Sequence, residues 1–347
     1  MRTVKAVGLL SGGLDSTLAT ALLLEQGVEI QGLNFSTGFC LTDHRRAMRR
    51  ETDPRRIRNE ALRCGADLRV PVDIVDICNS EYLGILTKPK YGYGSAANPC
   101  VDCRSFMFRR AREYMESEGG DFVYTGEVLG QRPMSQHMKQ LRIIERESGL
   151  AGLLLRPLSA RLLDPTIPEV EGWVDRTLLG RISGRSRKGQ IELAERFGLG
   201  DFPQPAGGCC YLTDKSFAAR FRDFLKFQPG EYVPRYDDFL LLKVGRHFRL
   251  PTGTKVIVGR DAAENRFLIR FYDGHWVFQV RGFEGPTVLS PEPLEEDDAG
   301  LVAGIAGRYS SGRAEALLEV AFGRAGHLDR LARVSPLAEA MVKTWQI

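Results

Sequence analysis

Two groups of residues in this 347-residue chain have the types and the spacing of a reaction centre, and the first is a glycine-rich loop. The loop reads Ser11-Gly12-Gly13-Leu14-Asp15-Ser16. Glycines let a backbone turn tightly around an anion, and a helix that follows adds its positive end. Asp15 repels an anion unless a cation lies between them. We therefore expect Mg²⁺ to bridge this carboxylate to the pyrophosphate of a nucleotide.

Cysteines form the second group, and the chain has seven of them. Cys100 and Cys103 have the spacing of a metal chelate or of a redox dithiol, and Cys209 and Cys210 follow much later in the chain. Because a large chain without a secretory signal pattern rarely relies on disulfides, this number of cysteines favours metal binding or catalysis. Three others lie in or beside apolar segments and are predicted to be small core residues: Cys40, Cys64 and Cys78.

The elements that must position both groups alternate between apolar strands and helices. Strands are predicted at 5–10, 28–35, 68–77, 121–128 and 152–159, and helices at 16–26, 54–64, 104–117, 166–178 and 188–197. The second helix is predicted to be capped by Thr52 or Asp53 and to end at Gly65. Strands separated by helices predict a doubly wound parallel sheet of the α/β class. The glycine loop follows the first strand, and such sheets bind ligands at the carboxyl ends of their strands.

Length and composition predict two or three domains. We divide the chain into a nucleotide-binding domain at 1–165, a connecting segment at 166–230 and a smaller carboxy-terminal α+β domain at 231–347. The net charge of +4 does not by itself indicate a nucleic-acid partner. No apolar run has the length of a membrane span, so we expect a cytoplasmic protein without a membrane partner.

The glycine loop resembles the PP-loop of the ATP pyrophosphatase superfamily. Members of that superfamily adenylate an oxygen of the substrate, release pyrophosphate and let a nucleophile replace AMP. The resemblance implies ATP and Mg²⁺ as cofactors and assigns nucleotide binding to Ser11, Gly12, Gly13, Asp15, Ser16 and Gly126. Further pocket candidates follow Gly126 in the chain: Gln131, Arg132 and Ser135.

The cysteine pattern is similar to that of the tRNA 2-thiouridine synthases, on the segment "NPCVDCR" and a later cysteine that precedes an aromatic residue. One branch of that family has aspartate at the position of Cys100 and works through a pair that matches Cys103 and Cys210. The branch with cysteine at this position is thought to hold a [4Fe-4S] cluster, which implies Cys100, Cys103 and Cys210 as ligands. Asp15, Cys103 and Cys210 are then the catalytic residues. Cys210 is chosen because Tyr211 follows it, and Cys209 is assigned either to packing or to a spare thiol near the site.

The carboxy-terminal part has a second resemblance, on "VGRDAAEN" and "HWVFQVRGFEGPTVLS", to the RNA-binding domain of the NFACT proteins. It implies RNA contact by this domain, while the resemblance to the tRNA 2-thiouridine synthases implies tRNA as the partner. Two basic clusters are predicted to follow the tRNA backbone: Arg45, Arg46, Arg49, Arg50, Arg55, Arg56 and Arg58, with Arg181, Arg185 and Arg187. No rhodanese-like segment is recognisable, so we expect an external sulfur donor, either a cysteine desulfurase or sulfide.

Two other functions remain open at the level of sequence. The enzyme could transfer sulfur to a small molecule or a carrier instead of tRNA. The chain could also be a nucleotide-sensing RNA-binding module whose cysteines hold structural zinc. The sequence leaves the thiolated atom, the choice of tRNA and the oligomeric state undetermined.

Overall fold

A computed structural model describes residues 3–40, 59–200, 210–228, 230–291 and 293–347. Within these ranges, no helix combines the length and the apolarity that crossing a membrane requires. The described residues up to Thr213 form one compact unit and Asp214–Ile347 form another, while the three-part division at 165 and 230 stays a prediction. Cys209 and the arginines between positions 45 and 58 lie outside the described residues.

The first unit is built on five parallel strands in the order β3-β2-β1-β4-β5. The strands are β1 (Lys5–Leu9), β2 (Glu29–Ser36), β3 (Val72–Asp76), β4 (Phe122–Thr125) and β5 (Leu154–Leu155). The helices are α1 (Leu14–Leu24), α2 (Glu60–Leu68), α3 (Ser80–Thr87), α4 (Cys100–Ser117), α5 (Met138–Ser148), α6 (Ile167–Val170) and α7 (Lys188–Arg196).

Helices cover both faces of this sheet. Alternate residues of a strand point to opposite faces, so neighbouring residues contact different helices. Ala6 and Phe122 pack into the core that contains α1. Val7 and Val123, the next residues along the same strands, pack into the core that contains α4 and α5. The predicted doubly wound α/β class is confirmed.

The second predicted helix has different ends from those expected. Helix α2 is capped by Asn59, whose Oδ1 accepts from the Ala61 amide at 2.8 Å, whereas the predicted cap residues lie outside the described ranges. The helix continues through Gly65 and ends at Leu68. Gly65 is a packing residue, because a Cβ atom there would lie 2.4 Å from Val72 Cγ2. Glycine allows the helix to approach β3 closely.

Two later elements are shorter in the structure than predicted. The strand expected at 152–159 is reduced to Leu154–Leu155, and the helix expected at 166–178 to the single turn Ile167–Val170. The predicted capping box of that turn is present, since Glu169 Oε2 accepts from the Thr166 amide at 2.7 Å.

The second unit contains a six-stranded antiparallel sheet in the order β11-β10-β8-β9-β7-β6. Its strands are β6 (Arg246–Arg249), β7 (Lys255–Val258), β8 (His275–Val280), β9 (Val288–Pro291), β10 (Leu318–Arg324) and β11 (Arg330–Val334). Its helices are α8 (Lys215–Lys226), α9 (Tyr236–Lys243), α10 (Ala262–Leu268), α11 (Glu296–Arg308) and α12 (Glu339–Thr344). This confirms a smaller α+β domain at the carboxy-terminal end.

The strand order of the first unit fixes where a ligand can bind. The chain leaves β1 for β2 on one side, while β4 pairs with β1 on the other side. The connections therefore diverge at the carboxyl ends of β1 and β4 and leave a crevice there, as in other open α/β sheets.

Candidate active site

The loop between β1 and α1 has the backbone that an anion site needs. Gly12 has a φ of 72°, and a Cβ atom there would lie 2.2 Å from the Glu60 carbonyl carbon, so the position requires glycine. Gly13 is the N-cap of α1 and offers no side-chain cap. The first amide groups of this 11-residue helix therefore stand at the loop, together with the positive end of the helix.

Hydroxyl groups fix the first turn of α1. Ser16 Oγ and Thr17 Oγ1 donate to the Gly13 carbonyl oxygen at 2.9 and 3.0 Å. Ser11 Oγ lies 3.3 Å from Ser16 Oγ. These bonds hold the loop in one shape, so that less conformational freedom is lost when a ligand binds.

Asp15 has one partnered and one unpartnered carboxylate oxygen. Oδ2 accepts from Gln131 Nε2 at 3.1 Å. Oδ1 is buried, and no donor in the described part of the chain reaches it. An unpaired buried acceptor is costly, and Mg²⁺ takes oxygen ligands of this kind. The carboxylate therefore fits the predicted cation.

Gly126 brings the end of β4 against the start of α1. A Cβ atom at Gly126 would lie 2.4 Å from the Ser16 backbone nitrogen, which is closer than real Cβ contacts. Tyr124 of β4 also contacts α1, since its hydroxyl lies 2.8 Å from Thr20 Oγ1. The predicted role of Gly126 has a steric reason here: a larger residue displaces the helix that carries the loop.

Replacing Gly126 by alanine is expected to push α1 away from β4 and to weaken ATP binding at least about tenfold, which corresponds to about 1.4 kcal/mol. Calorimetric titration of the full chain measures the affinity. Gly84→Ala is the matched control, because a Cβ atom at Gly84 in α3 meets nothing within 4 Å. Equal ATP affinities for the two variants would remove the assigned role of Gly126.

The three further pocket candidates have different positions. Gln131 reaches the site through its bond to Asp15. Arg132 is exposed, and its amide donates to Gln136 Oε1 at 3.0 Å, which stabilises the loop itself. Ser135 is buried at 2 % exposure. Of the three, the structure brings Gln131 to Asp15.

The segment that carries Arg181 and Arg185, two of the arginines predicted to contact tRNA, runs beside the loop after β4. Leu129 and Ser183 form a parallel bridge, and the Gly184 amide donates to the Leu129 carbonyl at 2.7 Å. Arg181 and Arg185 flank the bridge and are exposed. Their charges therefore lie beside the loop after β4, which also carries Gln131.

Cys100 and Cys103 occupy the first turn of α4. Asn98 Nδ2 donates to Cys100 Sγ at 3.1 Å, and the Tyr82 hydroxyl lies 3.3 Å from Cys103 Sγ. Both cysteines are partly exposed. A helix amino terminus favours the thiolate, which is the form that binds metals and attacks electrophiles.

Backbone hydrogen bonds bring Cys210 to the same place. The Tyr211 amide donates to the Phe39 carbonyl at 3.0 Å, and the Ala97 amide donates to the Leu212 carbonyl at 3.0 Å. The Cys210 segment therefore lies between the chain that follows β2 and the chain that precedes α4. The cysteines that are far apart in sequence converge.

Tyr82 lies among these thiols and was not identified from the sequence. Its ring packs between Phe39 and Phe106, with centroid distances of 6.2 and 5.4 Å. Its pKa is raised well above the usual value, by burial first and then by the neighbouring thiols of Cys103, Cys210 and Cys78. The phenol therefore stays protonated at neutral pH and can donate to a thiolate.

The prediction that three cysteines are core residues holds for one of them. Cys64 is 1 % exposed, contacts Thr17 Oγ1 at 3.2 Å and has a pKa raised by burial. Cys40 and Cys78 are partly exposed, and Cys40 pairs with Cys210 in an isolated antiparallel bridge. Both follow the carboxyl ends of strands. The apolar residues that suggested burial belong to those strands, and the two cysteines lie beyond them at the edge of the sheet.

Thiolates of this kind suit iron–sulfur chemistry. No group of three or more His, Cys, Asp or Glu side chains in the described ranges is arranged to hold a single metal ion. Cysteine thiolates are the usual ligands of [4Fe-4S] clusters, so the donor set of Cys100, Cys103 and Cys210 fits such a cluster by its chemistry alone.

Sequence reasoning also missed a buried ion pair at the site. Arg156 Nε donates to Glu127 Oε2 at 3.1 Å, and both side chains are 2 % exposed. Arg104 Nη1 lies 3.8 Å from Glu127 Oε1. The Arg104–Glu127 contact joins the residue after Gly126 to the residue after Cys103, and so connects the loop after β4 with the helix that carries the thiols. A charged residue directly after an apolar strand was the available signal.

Comparison with known proteins gives two family matches. Residues 2–161 match the family described as "Thiamine biosynthesis protein (ThiI)", and residues 245–346 match "NFACT protein RNA binding domain". The resemblances to a PP-loop, thiouridylase-like protein and to the NFACT domain are confirmed.

Two curated proteins illustrate the sequence similarity. The chain is 22 % identical to the tRNA-specific 2-thiouridylase MnmA of Listeria monocytogenes serotype 4b (strain CLIP80459) over 309 residues, which are 85 % of this chain and 76 % of that protein. It is 36 % identical to MnmA of Syntrophotalea carbinolica over 123 residues, which are 34 % and 32 % of the two chains. A solved 4-thiouridine synthetase–RNA complex with bound ATP gives 20 % identity, coverage of 56 % and 52 %, and a TM-score of 0.34, too low for a structural argument.

Proposed function

We propose that this chain, whose amino-terminal unit is of the thiouridylase-like PP-loop kind, is an ATP-dependent sulfurtransferase that makes thiouridine in tRNA in the cytoplasm. One observation carries the proposal. The carboxyl edge of a single parallel sheet holds the glycine loop after β1, and the chain that leaves the same edge after β2 binds the Cys210 segment next to the start of α4, where Cys100 and Cys103 lie. A nucleotide loop and a thiol group at one edge suit a reaction in which ATP activates an oxygen and sulfur replaces it.

The first half of the reaction uses the loop. The backbone amides at the start of α1 bind the phosphates of ATP, and Asp15 positions Mg²⁺ through its unpartnered oxygen. Gln131 holds the other carboxylate oxygen and so fixes the direction of the first. Adenylation of a uridine oxygen turns a poor leaving group into AMP and releases pyrophosphate.

The second half uses the thiols. Cys100, Cys103 and Cys210 would hold a [4Fe-4S] cluster, which would supply sulfide as the nucleophile. The chain's own contribution is positional: Asn98 orients the Cys100 thiol, and the Tyr82 hydroxyl orients that of Cys103. The sulfur itself comes from an external donor, either a cysteine desulfurase or sulfide.

RNA contacts are assigned to two surfaces. Residues 245–346 match an RNA-binding family, and Arg181 and Arg185 stand exposed beside the loop after β4. Cationic side chains near the loop place phosphates of the tRNA where its uridine can be activated.

The double variant Arg181→Ala/Arg185→Ala is expected to bind tRNA more weakly and with a shallower salt dependence. Each lost phosphate contact lowers the slope of log affinity against log salt by about 0.7–0.9. Fluorescence anisotropy with labelled tRNA at several salt concentrations measures the slope. Arg142→Ala is the control, because Arg142 is exposed and pairs with Asp164. An unchanged slope in the double variant would exclude these arginines from the tRNA contact.

The proposed function is tested by analysis of thiolated nucleosides. A deletion strain is expected to lack one thiouridine in its tRNA and to regain it with the wild-type gene. Full nucleoside content in the deletion strain, together with sulfur transfer by the purified protein to a small acceptor, would show that tRNA is the wrong substrate class.

A further inference from the structure

Cys40 faces Cys210 across the short antiparallel bridge, and the proposed reaction gives it no role. The hydrogen bond from the Tyr211 amide to the Phe39 carbonyl joins the residues next to this pair. Cys40 and Cys210 are therefore a non-hydrogen-bonded pair, the type in which Cα atoms lie about 4.5 Å apart and side chains lie on the same face.

This placement falls within the geometry of a disulfide, which needs Cα atoms about 4.4–6.8 Å apart. Both cysteines are partly exposed, so a small oxidant can reach them. Cys103 is the alternative disulfide partner for Cys210, but its surroundings differ from those of Cys40. It lies in α4, where its sulfur contacts the Tyr82 hydroxyl at 3.3 Å and the Met107 sulfur at 3.8 Å.

We propose that Cys40 and Cys210 are an oxidation site: they form a reversible disulfide that withdraws Cys210 from sulfur transfer. Two thiols lose two protons and two electrons to a two-electron thiol oxidant, and one S–S bond forms. A dithiol reductant returns both electrons and restores the thiols. A sulfur held in a disulfide is no longer a thiolate, so it neither binds a metal nor attacks an electrophile.

The disulfide itself does not depend on the proposed function, whereas its effect on activity does. The test therefore reads the linkage directly. The full chain is treated with diamide, a diazene that accepts two electrons and two protons, both as purified and after removal of bound metal with a chelator. Remaining thiols are alkylated, and the tryptic peptides are mapped by mass spectrometry without reduction.

Trypsin separates the relevant cysteines. Cleavage after Lys5 and Arg45 isolates Cys40, cleavage after Arg196 and Lys215 isolates Cys209 with Cys210, and Cys100 and Cys103 share a third peptide. We expect the chelated protein to show the peptide of Cys40 linked to that of Cys210. The link is expected to persist in Cys209→Ser and in Cys78→Ser and to be absent in Cys210→Ser.

Activity gives the second readout. Diamide is expected to inactivate thiolation at least about tenfold in the wild type, and dithiothreitol to restore it, while Cys40→Ser resists the same treatment. A link from Cys40 to Cys210 in a protein without thiolation activity supports the oxidation site and removes the proposed function. Absence of the link in the chelated protein, its survival in Cys210→Ser, or a Cys210–Cys103 link in its place would overturn the inference.

Discussion

Asp15→Asn is expected to reduce tRNA-dependent pyrophosphate release about 1000-fold or more, which is about 4 kcal/mol of lost transition-state stabilisation. The variant keeps an oxygen for Gln131 but loses the charge that holds Mg²⁺. Folding and any bound iron are expected to be unchanged, because the change removes no packing. The measurement is release of labelled pyrophosphate from ATP in the presence of tRNA.

Asp67→Asn is the matched control for that prediction. It makes the same chemical change at an exposed carboxylate of α2 that pairs with Arg63. Normal pyrophosphate release is expected from this control. Wild-type turnover in Asp15→Asn would remove the assignment of the loop as the ATP site.

Loss of any one of the three proposed cluster ligands is expected to abolish both the iron content and thiolation. Anaerobically purified Cys100→Ala, Cys103→Ala and Cys210→Ala are expected to be colourless and to contain little iron, because two thiolates hold a cubane cluster poorly. Adenylation depends on the loop after β1, so pyrophosphate release is expected to persist at a measurable rate. Metal analysis, the visible spectrum and the thiouridine yield measure these effects.

Two control variants sharpen this result. Cys64→Ala changes a buried cysteine that contacts Thr17 and is expected to keep the iron. Cys209→Ala is also expected to keep it, which tests the choice between the adjacent cysteines. A colourless Cys209→Ala with a brown Cys210→Ala would move the third ligand by one residue. Zinc in place of iron in the wild type would contradict the cluster.

The sequence was sufficient to predict the sheet and the loop, because both depend on local patterns. Apolar strands and helix signals alternate along the first half of the chain, and the glycine loop sits at the first strand end. The position of Gly126 was taken from the resemblance, and the structure adds its cause, the 2.4 Å approach to the Ser16 nitrogen.

The surroundings of the thiols could not be predicted, because they arise from contacts between distant segments. Tyr82 and Cys40 carry no motif, and their roles follow from the packing of α3 against α4 and from the bridge to Cys210. The end of α2 was missed for a related reason. Gly65 looks like a helix terminator in sequence, but it is a contact point with β3, which only the fold reveals.

The central claim is that the loop and the thiols form one reaction centre acting on tRNA. The most direct measurement incubates the anaerobic full chain with radiolabelled ATP, sulfide and unmodified tRNA, and counts AMP and thiouridine in the same samples. The account predicts one AMP for each thiouridine, with neither product formed when tRNA is omitted. Formation of AMP without thiouridine in the tRNA, or of thiouridine without ATP, would contradict it.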